Sequence, residues 1–295
     1  MNWWKDLEGK INPGEPLSKH TTFKIGGRAK FFIEPRDAAS LKTTLVLLKK
    51  YKIPFFVIGG GSNILVSDEG VDAAVLHLGA PYFKKMSFRG NCLEIGAGIF
   101  LKDAVRASRD YGLSGLEFLI GIPGTLGGAL IMNAGVAKSR TAIGDLVESV
   151  TVMDRNGKAL VLNKRDIKFE YRNSSLKKYI ILNACLKLFP KDKDKINDTI
   201  KEYISYRRYT QDLSWPSAGC IFKNPNGYSA GKLIEMCGLK GARVGDAYVS
   251  EKHANFILNK GKAKARDVLK LIAIIKKVVK NKFNITLIPE VKIWR

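Results

Sequence analysis

Cysteine and histidine are scarce and scattered. The four cysteines (Cys92, Cys185, Cys220, Cys237) form no C-x-x-C pair, and the three histidines (His20, His77, His253) lie far from one another. Neither a disulfide framework nor a metal site is therefore expected. The first residues, MNWWKDLEGKI, include acidic side chains and lack the apolar stretch of a secretory signal, so the expected address is a reducing cytoplasm. Internal repeats and low-complexity tracts are absent. Acidic residues are few: 27 Asp and Glu stand against 50 Lys and Arg, a net charge of +23. Such an excess favours anionic partners, whether nucleic acid, an acidic membrane surface or phosphorylated small molecules. One uncharged run, Phe118 to Ala137, has the length of a membrane span, but Pro123, Asn133 and five glycines interrupt it, and no span is expected.

What is present is ordinary globular material, 45% apolar and 26% charged, over 295 residues that suit two or three lobes. Leu41, Leu45 and Leu48 recur at helical spacing between Asp37 and Tyr51, Pro54 ends the helix, and Phe55 to Ile58 read as a buried strand. A strand over Leu93 to Gly98 and a helix over Phe100 to Gly112 follow. Ser149 to Leu162 reads as a hairpin turning at Asn156-Gly157, and Tyr179 to Phe189 as a further strand. Beyond Pro190 the charged KDKDKIND reads as a lobe boundary or a surface connection rather than core. Helices are expected from Asp194 to Tyr209 and from Ala263 to Phe283, the latter with Val268, Leu271, Ile272, Ile275 and Val279 on one face. The chain ends in an expected strand, ITLIPEVKIW, with Glu290 among apolar neighbours. Antiparallel pairing mixed with helices gives an α+β class.

Two glycine-rich loops stand out. In VIGGGSNILVSD (Val57 to Asp68), Gly59, Gly60, Gly61, Ser62 and Asn63 leave a buried strand, where unobstructed amides make either a tight turn or an anion-binding nest. No lysine follows as in a P-loop, and the third glycine of G-x-G-x-x-G is missing. The second loop, Gly115 to Gly135, carries Gly121, Pro123, Gly124, Thr125 and Gly128, and suits either close backbone approach to a large ligand or packing between lobes.

Three reactive groups come from separate segments. Cys220, in WPSAGCIFKNPNG beside Lys223 and Asn224, is either buried filler or a proton donor, since a free thiol is largely protonated at neutral pH. Arg172, after Tyr171, is either surface charge or the partner of a carboxylate. Glu290 is either an exposed edge group or an acid held in an apolar setting.

The ordered set KHTTFKIGG, VIGGGSNILVSD, GLEFLIGIPGTLGGALIMNAG, YRNS, SAGCIFKNP, VSEKHANFILN and PEVKIW resembles the MurB family of UDP-N-acetylenolpyruvoylglucosamine reductases, in its shorter, type II form. The resemblance runs from about Lys19 to Trp294. It implies a two-lobed FAD-binding PCMH (vanillyl-alcohol-oxidase type) domain, 1–80 and 81–190, plus a C-terminal α+β substrate-binding domain, 191–295, whose final strand 285–295 returns Glu290 to the active site. It also implies reduction of UDP-N-acetylglucosamine enolpyruvate to UDP-N-acetylmuramate for peptidoglycan synthesis, by a cytoplasmic monomer using FAD and NADPH. By position, Gly59, Gly60, Gly61, Ser62 and Asn63 would cradle the FAD pyrophosphate, and Gly121, Pro123, Gly124, Thr125 and Gly128 would line the cofactor. Arg172 and Glu290 would stabilise charge on the substrate. Cys220 takes the place of the serine that usually donates the proton. Lys223, Asn224 and His253 would contact the UDP-sugar, and no metal is implied.

Other readings are an FAD-linked oxidoreductase of the same fold acting on another substrate, a non-enzymatic flavin carrier, and a basic nucleic-acid-binding protein. The FKNP and PEVKIW elements speak against the first, because a fold alone would not demand them. The last explains the charge but not the two glycine loops, and no RNP, zinc-finger or basic-zipper signature is present.

Overall fold

The computed structural model describes residues 4, 7–136 and 141–295; most of the first six residues and Ala137, the end of the uncharged run, lie outside them. The early strands are β1 (Gly9–Pro13), β2 (Ala29–Pro35), β3 (Phe55–Ile58), β4 (Ile64–Val66) and β5 (Val71–His77). Four of these make a sheet in the order β1-β2-β5-β3, with β1 antiparallel to β2 and β3 parallel to β5. The parallel pair is connected through β4 rather than by a helix. Helix α1 (Ala38–Lys50) begins where expected. The Asp37 carboxylate accepts the Ser40 amide and the Ser40 hydroxyl accepts the Asp37 amide, while Leu41, Leu45 and Leu48 are buried.

A second sheet is built from β6 (Met86–Arg89), β7 (Cys92–Gly96), β8 (Val147–Met153), β9 (Ala159–Asn163) and β10 (Ile180–Lys187), in the order β9-β8-β10-β7-β6 and antiparallel throughout. The β8-β9 hairpin turns through Gly157 at φ +85°, a left-handed position that favours glycine. Helix α2 (Leu101–Asp110) runs between β7 and β8, followed by α3 (Leu126–Ile131). Helix α3 is all that the uncharged run contributes as α-helix, and no helix among the described residues is long and apolar enough to cross a membrane.

The third sheet, β11 (Ser217–Cys220), β12 (Arg243–Val244), β13 (Ala247–Val249) and β14 (Phe256–Asn259), is ordered β11-β14-β13-β12. It shares a core with α5 (Ala230–Met236) and α6 (Ala265–Phe283), which follow α4 (Lys193–Thr210). The five apolar residues read from sequence on one face of α6 are all buried. The terminal strand is shorter than expected. Only β15 (Lys292–Trp294) forms a ladder, parallel to β4, and Glu290 precedes it. Ahead of it Pro289 makes only an isolated antiparallel bridge to Phe222, at a position where its missing N–H is not needed.

Two compact units result. One comprises residues 1–13, 30–60 and 73–206, and the other 14–29, 61–72 and 207–295. The division falls within α4 because Ile196 and Ile200, early in that helix, are buried in the first unit's core. In the second unit Phe23, Ile25 and Leu65 join a core otherwise made after residue 207.

One pairing corrects the expectation from cysteine spacing. Cys92 of β7 and Cys185 of β10 form a disulfide across 93 residues of sequence. Strand pairing brings them together, which linear spacing cannot reveal. Among the described residues, Cys92, Glu148 and Cys185 are the one cluster of metal-ligand types, and sulfurs joined to each other are not available as thiolate ligands.

Candidate active site

In the first unit the two glycine loops touch. A Cβ on Gly59 would collide with Thr125 Oγ1, and one on Gly60 would lie 3.1 Å from Gly124 Cα. The second loop is fixed by Leu101 N donating to Gly124 O, Leu126 N to Ile99 O and Gly127 N to Ala97 O, each within 3.0 Å. Gly124 and Thr125 are buried, Gly121 is half-buried, and Pro123 and Gly128 are exposed. A Cβ on Gly128 would meet only Thr125 Oγ1, at 3.8 Å, so this backbone stays approachable. A long cofactor needs such bare main chain, and these residues fit FAD.

Helix α3 continues from that loop and supports Arg172. The two-stranded hairpin Phe169–Glu170 and Asn173–Ser174 turns through Tyr171 and Arg172, the latter at φ +53°. Ser174 Oγ donates to Ile131 O at 3.1 Å, and Asn133 Nδ2 donates to Glu170 O at 3.1 Å, tying the hairpin to the end of α3. Arg172 is half-buried, and its Nη1 donates to Gly135 O at 2.9 Å. A guanidinium held by main chain is pre-oriented, so less side-chain freedom is lost when it meets an anion.

In the second unit a hydrogen-bond chain ties the rest of the first glycine loop to Cys220 and Glu290. Gly61 has φ +62°, and a Cβ there would collide with His20 O. Thr22 N donates to Gly61 O at 3.1 Å, while Thr22 Oγ1 donates to Ser217 O, at the start of β11, at 2.7 Å. Asn63 Nδ2 donates to Glu290 O at 3.2 Å, and Lys292 N donates to Asn63 O at 2.9 Å. Glu290 N in turn donates to Ile221 O at 2.8 Å, so the glutamate's main chain abuts the residue after Cys220. Ser62, Asn63, Cys220 and Glu290 are all half-buried. Gly219, at φ +73° with open space around its Cα, sets the bend before the thiol.

The remaining candidates lie beyond that bend. Lys223 is half-buried and its amide donates to Ile288 O at 2.9 Å. Asn224 is exposed, and its Oδ1 accepts from Ala230 N, at the start of α5, at 3.0 Å. His253 is half-buried with Nδ1 accepting the Asn255 amide at 3.3 Å, and its Cε1 would lie 3.5 Å from a Cβ on Gly231 of α5. Burial pushes its pKa below the usual histidine value, helped by the charge of Lys240. The neutral ring therefore carries its proton on Nε2.

Two positioning residues went unread in the sequence. Asn255, within SEKHAN, is buried and clamps Phe222: Oδ1 accepts the Phe222 amide at 2.9 Å and Nδ2 donates to the Phe222 carbonyl at 2.8 Å. Asp68, the last residue of the first glycine motif, accepts from Ala265 N and Arg266 N at 2.7 and 3.1 Å, capping α6 from 197 residues away. The signal available for both was a polar residue beside a short apolar run, Asn255 ahead of Phe256 to Leu258 and Asp68 shortly after Ile64 to Val66.

The comparisons bear on the same residues. A profile described as an FAD binding domain matches residues 29–163, and one described as the C-terminal domain of UDP-N-acetylenolpyruvoylglucosamine reductase matches 211–294. The UDP-N-acetylenolpyruvoylglucosamine reductase of Caldanaerobacter subterraneus subsp. tengcongensis is 43% identical over 288 residues, 97% of this chain and 94% of that one. The chain belongs to the UDP-N-acetylenolpyruvoylglucosamine reductase family. The reductase of Clostridium novyi is 42% identical over 94% of this chain and 90% of its own length. The crystal structure of MurB from Thermus caldophilus superposes with a TM-score of 0.83 at 36% identity, covering 98% of this chain and all of that one. BBE-like 1 of Physcomitrella patens, 17% identical with a TM-score of 0.50 over 64% of this chain and 44% of its own, shares the fold alone. Family membership makes the chain a flavoprotein oxidoreductase of α+β fold.

Proposed function

We propose that this chain reduces the enolpyruvyl ether of UDP-N-acetylglucosamine enolpyruvate to the lactyl ether, giving UDP-N-acetylmuramate for peptidoglycan synthesis. FAD, held by the two glycine loops, would supply the hydride chemistry that links NADPH to the enolpyruvyl ether, which no amino-acid side chain can supply. The half-reactions alternate, so NADPH and the UDP-sugar take turns. In this reading Gly59 to Asn63 hold the cofactor's pyrophosphate, and Gly121, Pro123, Gly124, Thr125 and Gly128 give it bare backbone to lie against. Arg172 pairs with the substrate carboxylate, and Glu290 hydrogen-bonds it as negative charge builds there. Cys220 donates the final proton to the enol carbon. Lys223, Asn224 and neutral His253 bind the UDP portion. Residues 1–80 and 81–190 form the cofactor lobes and 191–295 the substrate lobe of a cytoplasmic monomer that needs no nucleic acid. The strands of the three larger sheets fall within those three spans, while residues 14–29 and 61–72 group with 207–295 and β4 pairs with β15 across the division.

The observation that carries the reading is the hydrogen-bonded chain from the glycine motif through Asn63 to Glu290 and on to Ile221, next to Cys220. It supports the reading because the part of the motif from Gly61 to Asn63 is held in a fixed relation to the main chain at Glu290 and beside Cys220. The test is spectroscopic and anaerobic. Purified protein is expected to show oxidised flavin that bleaches with NADPH and regains its colour on addition of UDP-N-acetylglucosamine enolpyruvate. Bleaching with no recovery would reject the substrate, and a chain that cannot be loaded with FAD would reject the reading altogether.

A further inference from the structure

The solvent side of the five-stranded sheet carries the Cys92–Cys185 pair in an electrostatically lopsided setting. In the β7-β10 register Lys187 stands opposite Cys92 and Glu94 opposite Cys185, so the cysteines are diagonal neighbours on one face, with Cα atoms 6.2 Å apart. The alternate residues Leu93, Ile95, Ala184 and Leu186 are buried on the other face. Across β6, Arg89 also stands opposite Cys92, while pairing with Glu94 at 3.8 Å. Cys92 is thus flanked by Arg89 and Lys187. Cys185 is flanked by Glu94 and by Glu148, which sits at the register shift between Val147 and Ser149 with Oε2 3.4 Å from Cys185 Sγ.

We propose that Cys92 and Cys185 are a reversible redox pair that exchanges with disulfides of low-molecular-weight thiols, Cys92 attacking and Cys185 resolving. Lys187 and Arg89 stand opposite Cys92, where an attacking thiolate would form, and Glu148 stands beside Cys185, where a proton has to be taken up. The Cys92 thiolate bonds to one sulfur of the external disulfide and expels the other as a thiolate. Glu148 then takes the Cys185 proton, and the Cys185 sulfur attacks Cys92 and releases the second external thiolate. Two protein thiols and one external disulfide become one protein disulfide and two external thiols. The segment closed in this way runs from Leu93 to Ala184 and includes both the Gly121–Gly128 stretch and Arg172.

The experiment uses the full flavin-loaded chain, reduced, desalted and exposed to oxidised glutathione, with alkylation and peptide mass mapping over time. Cys92 and Cys185 are expected to lose reactivity together with no glutathione retained. Cys185→Ser should accumulate glutathione on Cys92, Cys92→Ser should react at Cys185 about tenfold more slowly, and Glu148→Gln should slow only the release of glutathione from Cys92. Retained flavin absorbance checks that each variant is folded. Equal rates for the two serine variants would overturn the attacking and resolving assignment. Full alkylation of both cysteines after exposure would overturn the pair itself.

Discussion

Cys220 occupies a position where chemistry, not packing, decides the outcome of substitution. It ends β11, is half-buried, and follows a glycine bend with open space around it. A serine fits the same space and also carries a transferable proton, so Cys220→Ser is expected to retain substantial turnover. With Cys220 as the proposed proton donor, Cys220→Ala is expected to lower kcat by about 10²–10⁴-fold while leaving flavin reduction by NADPH intact. Stopped-flow measurement of the two half-reactions separately checks this, and an alanine variant with full turnover removes Cys220 from the mechanism. The same thiol is open to oxidation where a serine would not be.

At the scale of elements, the segment bearing Lys223 and Asn224 depends on the side chain of Asn255. Asn255→Ala would leave the buried Phe222 amide and carbonyl without partners, each costing about 1–3 kcal/mol. A loss of roughly 3 kcal/mol in urea unfolding is expected, together with a raised KM for the UDP-sugar and little change in flavin content. An unchanged midpoint would show that the clamp is dispensable. This clamp also marks how far the sequence could be read. Strand β3 has the bounds expected from its apolar run, and α1 and α6 follow their apolar spacing to within two residues, because local periodicity and capping determine them. The glycine loops were legible as bare backbone. Their mutual contact was not, since Gly59 and Thr125 meet only through tertiary packing. Arg172 read as a cation, but its place in a left-handed turn depends on the hairpin against α3. The cysteine pair was hidden by strand register, and the shortness of β15 by an apolar run that continues through Pro289.

For the whole molecule, the charge of +23 sets the conditions under which anionic substrates are captured. Both NADPH and the UDP-sugar are polyanions, and their attraction to a basic protein is screened as the Debye length falls from about 30 Å at 0.01 M salt to about 10 Å at 0.1 M. The kcat/KM for each is expected to drop about tenfold or more over that range and beyond, with kcat little affected. Steady-state kinetics in sodium chloride check this, and a flat dependence would separate the charge from substrate capture.

The bond between Asn63 and Glu290 joins residues 227 apart in sequence. Strand β4, just after Asn63, pairs with β15 near the other end of the chain. Synthesis proceeds at about 5–20 residues per second, so roughly 10–45 s separate the emergence of the two sides. Throughout that interval the nascent chain holds an unfinished β4 edge, and for most of it the apolar Phe23, Ile25 and Leu65 wait for the core residues that begin at Ala218. The second unit is thus completed only once Lys292 to Trp294 have been made, and the growing polypeptide has to be kept from aggregating until then.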